Sequence, residues 1–171
     1  MEAFLLALFL VKTQATVIEL GSGYQYREKH GYTTEGDTNA DGGIQIHHIG
    51  DRLTTSSSAI FFRAFLGRLG AELTLGEHNS AGMVYRFGES KLVPEFSIGV
   101  SEASISVISN AMEQNVKANA AFAGIGANLI ITKNISINVS YKYTSKASAQ
   151  FNSSTAEWNE RYSFMGFAYR F

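Results

Sequence analysis

The sequence predicts an all-β chain: an eight-stranded antiparallel up-and-down β-barrel that crosses a membrane. Three observations lead there. Apolar and polar residues alternate with a period of two, most cleanly where Ile135, Ile137, Val139, Tyr141 and Tyr143 interleave with Ser136, Asn138, Ser140, Lys142 and Thr144. Successive strand side chains point to opposite faces, so such a segment has one greasy and one wet surface. Short turn signals (Gly88-Glu89-Ser90 and Thr132-Lys133-Asn134) take turns with long polar stretches over 29–43, 104–117 and 146–160. After residue 15, no stretch approaches the roughly 18 apolar residues of a spanning helix, so any crossing of a bilayer falls to strands.

The elements follow in order. Residues 1–15, MEAFLLALFLVKTQA, join a nine-residue apolar run to a small-residue ending. That pattern predicts a signal peptide, although its first residues carry Glu2 and no Lys or Arg, and it leaves 16–171 as the barrel domain. Over 16–28, Ile18, Leu20, Tyr24 and Tyr26 oppose Glu19, Gly21, Gly23, Gln25 and Arg27. A weaker strand is predicted over 43–51, where His47-His48 breaks the phase, and a long one over 58–75, blurred by the run Ala59-Ile60-Phe61-Phe62 and divisible at Gly67-Arg68-Leu69-Gly70. Strands over 81–88, 93–103, 117–131, 134–145 and 160–171 complete eight, an even number that keeps both ends on one side.

Alternation alone does not say which face is the core. The polar faces are rich in Gly and Ser with scattered charges, as suits a narrow lumen, and aromatics gather toward strand ends (Tyr24, Tyr26, Tyr141, Tyr143, Tyr169, Phe171), where membrane interfaces favour them. The apolar faces are therefore predicted to meet lipid. The inward charges are then Glu19, Arg27, Arg68, Glu72, Arg86, Glu95, Lys142 and Arg170. Because a lone charge in a narrow lumen is costly, both signs are expected to pair in a network that fills the barrel.

The ending Gly166-Phe-Ala-Tyr169-Arg-Phe171 resembles the carboxyl-terminal signal by which the barrel-assembly machinery recognises bacterial outer-membrane barrels. Gly124 to Ser145, GIGANLIITKNISINVSYKYTS, resembles the penultimate hairpin of the opacity-like and OmpA/OmpX-type small barrels. The likeness covers roughly the last 55 residues. It implies the fold, insertion through that machinery (with Gly166, Tyr169 and Phe171 as the signal) and residence in the outer membrane as an integral barrel; outer-membrane lipid is the expected surrounding partner, and a monomer is expected. It does not choose among the family's roles.

Other chemistry finds little support. There is no Cys, and 14 Lys+Arg stand against 15 Asp+Glu, so thiol chemistry is excluded and nucleic-acid binding is not expected. His30, His47, His48 and His78 form no His-x-Ser pattern, adjacent His47 and His48 point apart on a strand, and His78 is expected in a solvated connection, so no catalytic residue, metal or cofactor is expected. Asp37, Asn39 and Asp41 alternate, but the twelfth position of a calcium loop is His48. The expected role is therefore a structural or adhesion protein whose loops, with Tyr32, Phe151 and Trp158 as contacts, meet a host or cell-surface ligand. The alternative is a small porin or channel.

Overall fold

The computed structural model describes residues 17–34, 46–47, 53–109, 112–151 and 154–171. The signal-peptide segment 1–15 and the Asp37, Asn39 and Asp41 alternation lie outside them. The strand segments are β1 (Val17–Thr34), β2 (Ile46–His47), β3 (Leu53–Leu66), β4 (Leu69–Gly76), β5 (Ser80–Arg86), β6 (Leu92–Ser109), β7 (Met112–Ile130), β8 (Ile135–Thr144), β9 (Ala147–Phe151) and β10 (Ser154–Arg170).

These segments make an eight-stranded wall. β2 is a two-residue pairing on the far end of β1. β8 and β9 both pair with β10, and the register slips by one residue between Tyr143↔Arg161 and Ala147↔Trp158. They are one wall strand interrupted by a bulge at Ser145-Lys146, and the extra residue returns Ala147 to the inward face. Every neighbour is antiparallel, and β1 against β10 closes the barrel. Hydrogen-bonded partners from Ile18 run through Ala64, Ala71, Met83, Ile98, Ala123, Tyr143 and Arg161 to Glu28, ten residues above the start. That stagger tilts the strands and sets a width that side chains can fill.

Polarity is inverted relative to a soluble protein. Outside stand Leu20, Ile60, Met83, Ile98, Ile125, Val139 and Phe167, all exposed. Tyr24, Tyr26, Tyr141 and Tyr143 ring the loop end of this band, while Tyr85, Phe87, Tyr169 and Phe171 mark the turn end, where edge-on pairs set ring centroids 5.1 and 4.8 Å apart. Two aromatic girdles around an aliphatic band are the signature of a barrel standing in a bilayer.

The predicted count of eight strands holds, but two elements are redistributed. Of the predicted strand over 43–51, the described residues Ile46 and His47 pair with the far end of β1, and the predicted strand over 58–75 is two wall strands joined at Gly67-Arg68, where Gly67 takes φ 61°. Such a two-residue hairpin needs a residue free to adopt positive φ. Segments predicted as loops are also largely strand: β1 continues to Thr34, β6 to Ser109 and β7 starts at Met112, while β9 and β10 occupy much of 146–160. These extensions stand above the apolar band, toward the loop end.

Inside, bulky rings lie over glycines. A Cβ on Gly23 would meet the Phe164 ring at 2.5 Å, one on Gly21 the Phe61 ring at 2.6 Å, and one on Gly99 the Phe122 ring at 2.8 Å. Phe61 and Phe164 meet edge-on at 5.3 Å and are buried with Ala59 and Ala168 as a small apolar core at mid-lumen.

Candidate functional site in the barrel lumen

On either side of that core the lumen carries charge. Toward the turn end, Glu19 sits at the foot of β1 with both carboxylate oxygens 2.8 Å from Arg86 Nη2, and Asn128 Nδ2 donates to it at 3.0 Å. Arg170 Nε approaches Glu19 to 3.1 Å as an ion pair, without hydrogen-bond alignment. Arg86 Nε donates to Glu95 at 3.0 Å, and its guanidinium lies 3.4 Å from the Phe65 ring centroid.

Arg63 occupies the centre. From β3 it donates to Glu72 on β4 at 2.6 Å, Glu95 on β6 at 3.0 Å and Asn138 on β8 at 3.0 Å. Glu72 also pairs with Lys142 on β8. One guanidinium thus ties together four strands, and the chain of pairs runs unbroken from Arg170 to Lys142. The carboxylates are almost wholly buried, so each depends on these donors for its solvation.

Toward the loop end is a second cluster. Arg27 donates to Glu160 at 2.6 Å, and the Ser104 amide donates to the same carboxylate at 3.1 Å. Ser104 Oγ lies 3.3 Å from His78 Nδ1 and accepts from Lys29 at 3.5 Å. Trp158 is buried with Ala103, Ala120 and Ala147.

His78, expected to be solvated, is instead folded inward from the β4–β5 connection with 2% of its surface exposed. Burial first, then the nearby positive charges of Arg27, Lys29 and Lys117, depress its pKa from 6.5 to about 3. The unfolded chain therefore binds a proton more readily than the barrel does, and the stabilisation from neutral His78 is present above about pH 6.5 and drains away as pH falls toward 3. Wild type should lose more thermal stability than His78→Gln between pH 7 and pH 4, read as the temperature at which the gel mobility of unboiled protein shifts. Equal losses would place His78 in solvent.

Among the residues expected to pair inside, Glu19, Glu72, Arg86, Lys142 and Arg170 do so. Arg68 does not: it is exposed in the β3–β4 turn, because the turn takes up the residues that a single long strand would have directed inward. Arg63 holds the place instead, and the blurred phase around Ala59–Phe62 concealed it. Phe61, Arg63 and Phe65 all face inward, so polarity could not separate the two sides; their odd-numbered spacing was the available signal. Trp158 sits in β10 facing the lumen rather than in a loop. The side chains of Tyr32 and Phe151 lie outside the described residues. Gly166 lies beneath the Phe164 ring, while Tyr169 and Phe171 face outward.

An apolar exterior around a buried, charged lumen defines the class: an integral membrane β-barrel with the fold of the small outer-membrane proteins. Three solved structures of that class share the fold. OprG from Pseudomonas aeruginosa matches with a TM-score of 0.64 at 14% identity over 92% of this chain and 97% of that one. The N-terminal β-barrel domain of Pseudomonas aeruginosa OprF gives 0.58 at 17% over 92% and 98%, and Neisserial surface protein A gives 0.55 at 12% over 88% and 97%. No protein-family model and no curated protein sequence matches the chain.

Proposed function

We propose that the chain is a non-enzymatic outer-membrane scaffold whose lumen is closed and whose loop end serves attachment to a surface ligand. The observation that carries this is Arg63, which bridges four wall strands across the lumen. Beside it the space between the Phe61–Phe164 core and Lys142 narrows to a void of about 10 Å³, room for one water at most. A rigid interior of this kind anchors loops well and conducts poorly.

The channel alternative draws on one feature, a cavity of about 490 Å³ at the turn end, lined by Arg68, Arg86, Glu89 and Arg170. In this reading the cavity stops at the Arg63 layer. Purified protein in planar lipid bilayers is expected to show no stable conductance steps. Reproducible nanosiemens steps would overturn the closed-lumen reading in favour of a porin. Attachment is tested by comparing adhesion of cells displaying the full chain with cells displaying a variant in which 35–45 is replaced by a short Gly/Ser linker. Equal adhesion would count against an attachment role for that segment.

A further inference from the structure

At the loop end of the lumen Arg27 (Nε and Nη2), His78 (Nε2) and Trp158 (Nε1) carry buried donors with no hydrogen-bond partner, and the Ser101 and Tyr162 hydroxyls have at most each other and Ser80. Arg27, His78, Trp158, Ser101 and Tyr162 are all at most 2% exposed. Such orphans are rare in native proteins, and several together require a filler. They stand close to one another. The Arg27 guanidinium lies 4.8 Å from the Tyr162 ring centroid, and the Tyr162 hydroxyl is beside Ser80 and Ser101. His78 is held from below by Ser104, the residue that Lys29 also reaches.

The character of the orphans selects the filler. Both Arg27 atoms are obligate donors, and the hydroxyls and the His78 ring nitrogen are each able to donate. Arg27 and Lys29 face one buried carboxylate, Glu160, whose oxygens are taken by Arg27 Nη1 and the Ser104 amide. Glu77, 3.8 Å from His78 Nε2, is half exposed at the rim, and Glu102 is paired with Lys117. Among the buried groups at this end, unpartnered donors outnumber the unpartnered acceptor Gln25 Oε1, and the two cations Arg27 and Lys29 face the single carboxylate of Glu160.

The wall beside the cluster is low. β4 and β5 end at Gly76 and Ser80, whereas β1 runs on to Thr34 and the β6–β7 pair to Ser109 and Met112. Among the described residues, β3 over 53–58 and β6 over 103–109 have no wall partner on the sides that face each other, the Glu102 amide still donating to the Asn79 carbonyl of the turn at 2.8 Å. His78 lies at the foot of this gap.

We propose that this layer binds a small oxyanion, a phosphate or carboxylate group, that enters over the β4–β5 turn. Arg27, Ser101, Tyr162 and His78 donate to it and Lys29 supplies charge. The proposal does not depend on whether the lumen conducts.

Trp158, the one tryptophan, occupies the inward position of β10 beyond Glu160 and serves as reporter. Its fluorescence is followed in nonionic detergent as sodium phosphate, sodium acetate or, at matched ionic strength, sodium chloride is added. A second arm adds phosphatidylglycerol in the same detergent. A saturable change with phosphate or acetate and none with chloride is expected; saturation with phosphatidylglycerol alone assigns the group to a lipid headgroup. Tyr162→Phe and Arg27→Lys, each confirmed as folded by heat-modifiable migration, should both weaken binding about tenfold, since a hydrogen bond to a charged group is lost in each. Saturation with none of the probes, or unchanged affinity in either variant, overturns the proposal and leaves the donors to water.

Discussion

Arg63→Gln should lower the stability of the barrel by about 3 kcal/mol, the lower end of what removing one partner from a buried ion pair costs. The lower end applies because the partners are shared: Glu72 retains Lys142, and Glu95 retains Arg86. What is lost is the one group among the described residues that joins β3 to β4, β6 and β8 at once. Urea unfolding in phospholipid vesicles, followed by the fraction migrating as folded on an unboiled gel, measures the change. Arg68→Gln is the comparison, because an exposed turn residue should alter the midpoint by no more than about 0.5 kcal/mol. Equal midpoints for the two variants would mean that the lumen network does not hold the barrel together.

Val139→Lys should block assembly rather than weaken the finished barrel. Val139 is central in β8, turned outward, and sits between Ala127 on β7 and Met165 on β10. A Lys at the bilayer midplane costs roughly 2–4 kcal/mol on the lipid face of a barrel. Neighbouring Asn138 points inward and tolerates polarity by donating to Glu95 at 3.1 Å. The yield of folded protein in large vesicles, compared with Val139→Leu, is the measurement. If the lysine variant inserts as fully as the leucine variant, the outer and inner faces have been exchanged.

The parity of β8, and of β10 from Met165 onward, was legible because their inward positions are small or polar and their outward positions are not, and the same holds for most of β5 and β7; nearer the loop end of β10, Trp158, Tyr162 and Phe164 face inward. Parity failed where the lumen itself is greasy. Phe61 and Phe65 point inward over glycines of the neighbouring strands, so β3 shows an apolar run instead of an alternation. That one ambiguity hid Arg63, nominated Arg68, and merged β3 with β4. Strand length failed for a different reason: the polar composition of 104–117 reads as a loop, whereas β6 and β7 run on beyond the girdles as a paired ribbon to Ser109 and Met112. The cluster of Arg27, Lys29, His78, Ser104 and Glu160 could not be foreseen from spacing, because closure of β1 on β10 and the inward fold of a turn bring it together.

The short β4–β5 hairpin also fixes how deep the molecule sits. Backbone amides and carbonyls left without strand partners are tolerated in water and not among acyl chains. Among the described residues the facing edges of β3 and β6 above Gly76 and Ser80 lack such partners, so hydrocarbon on that flank stops below those two residues, however thick the surrounding leaflet. The notch works as a waterline cut into the wall, and a bilayer too thick for it must thin beside the notch before the cylinder can ride lower.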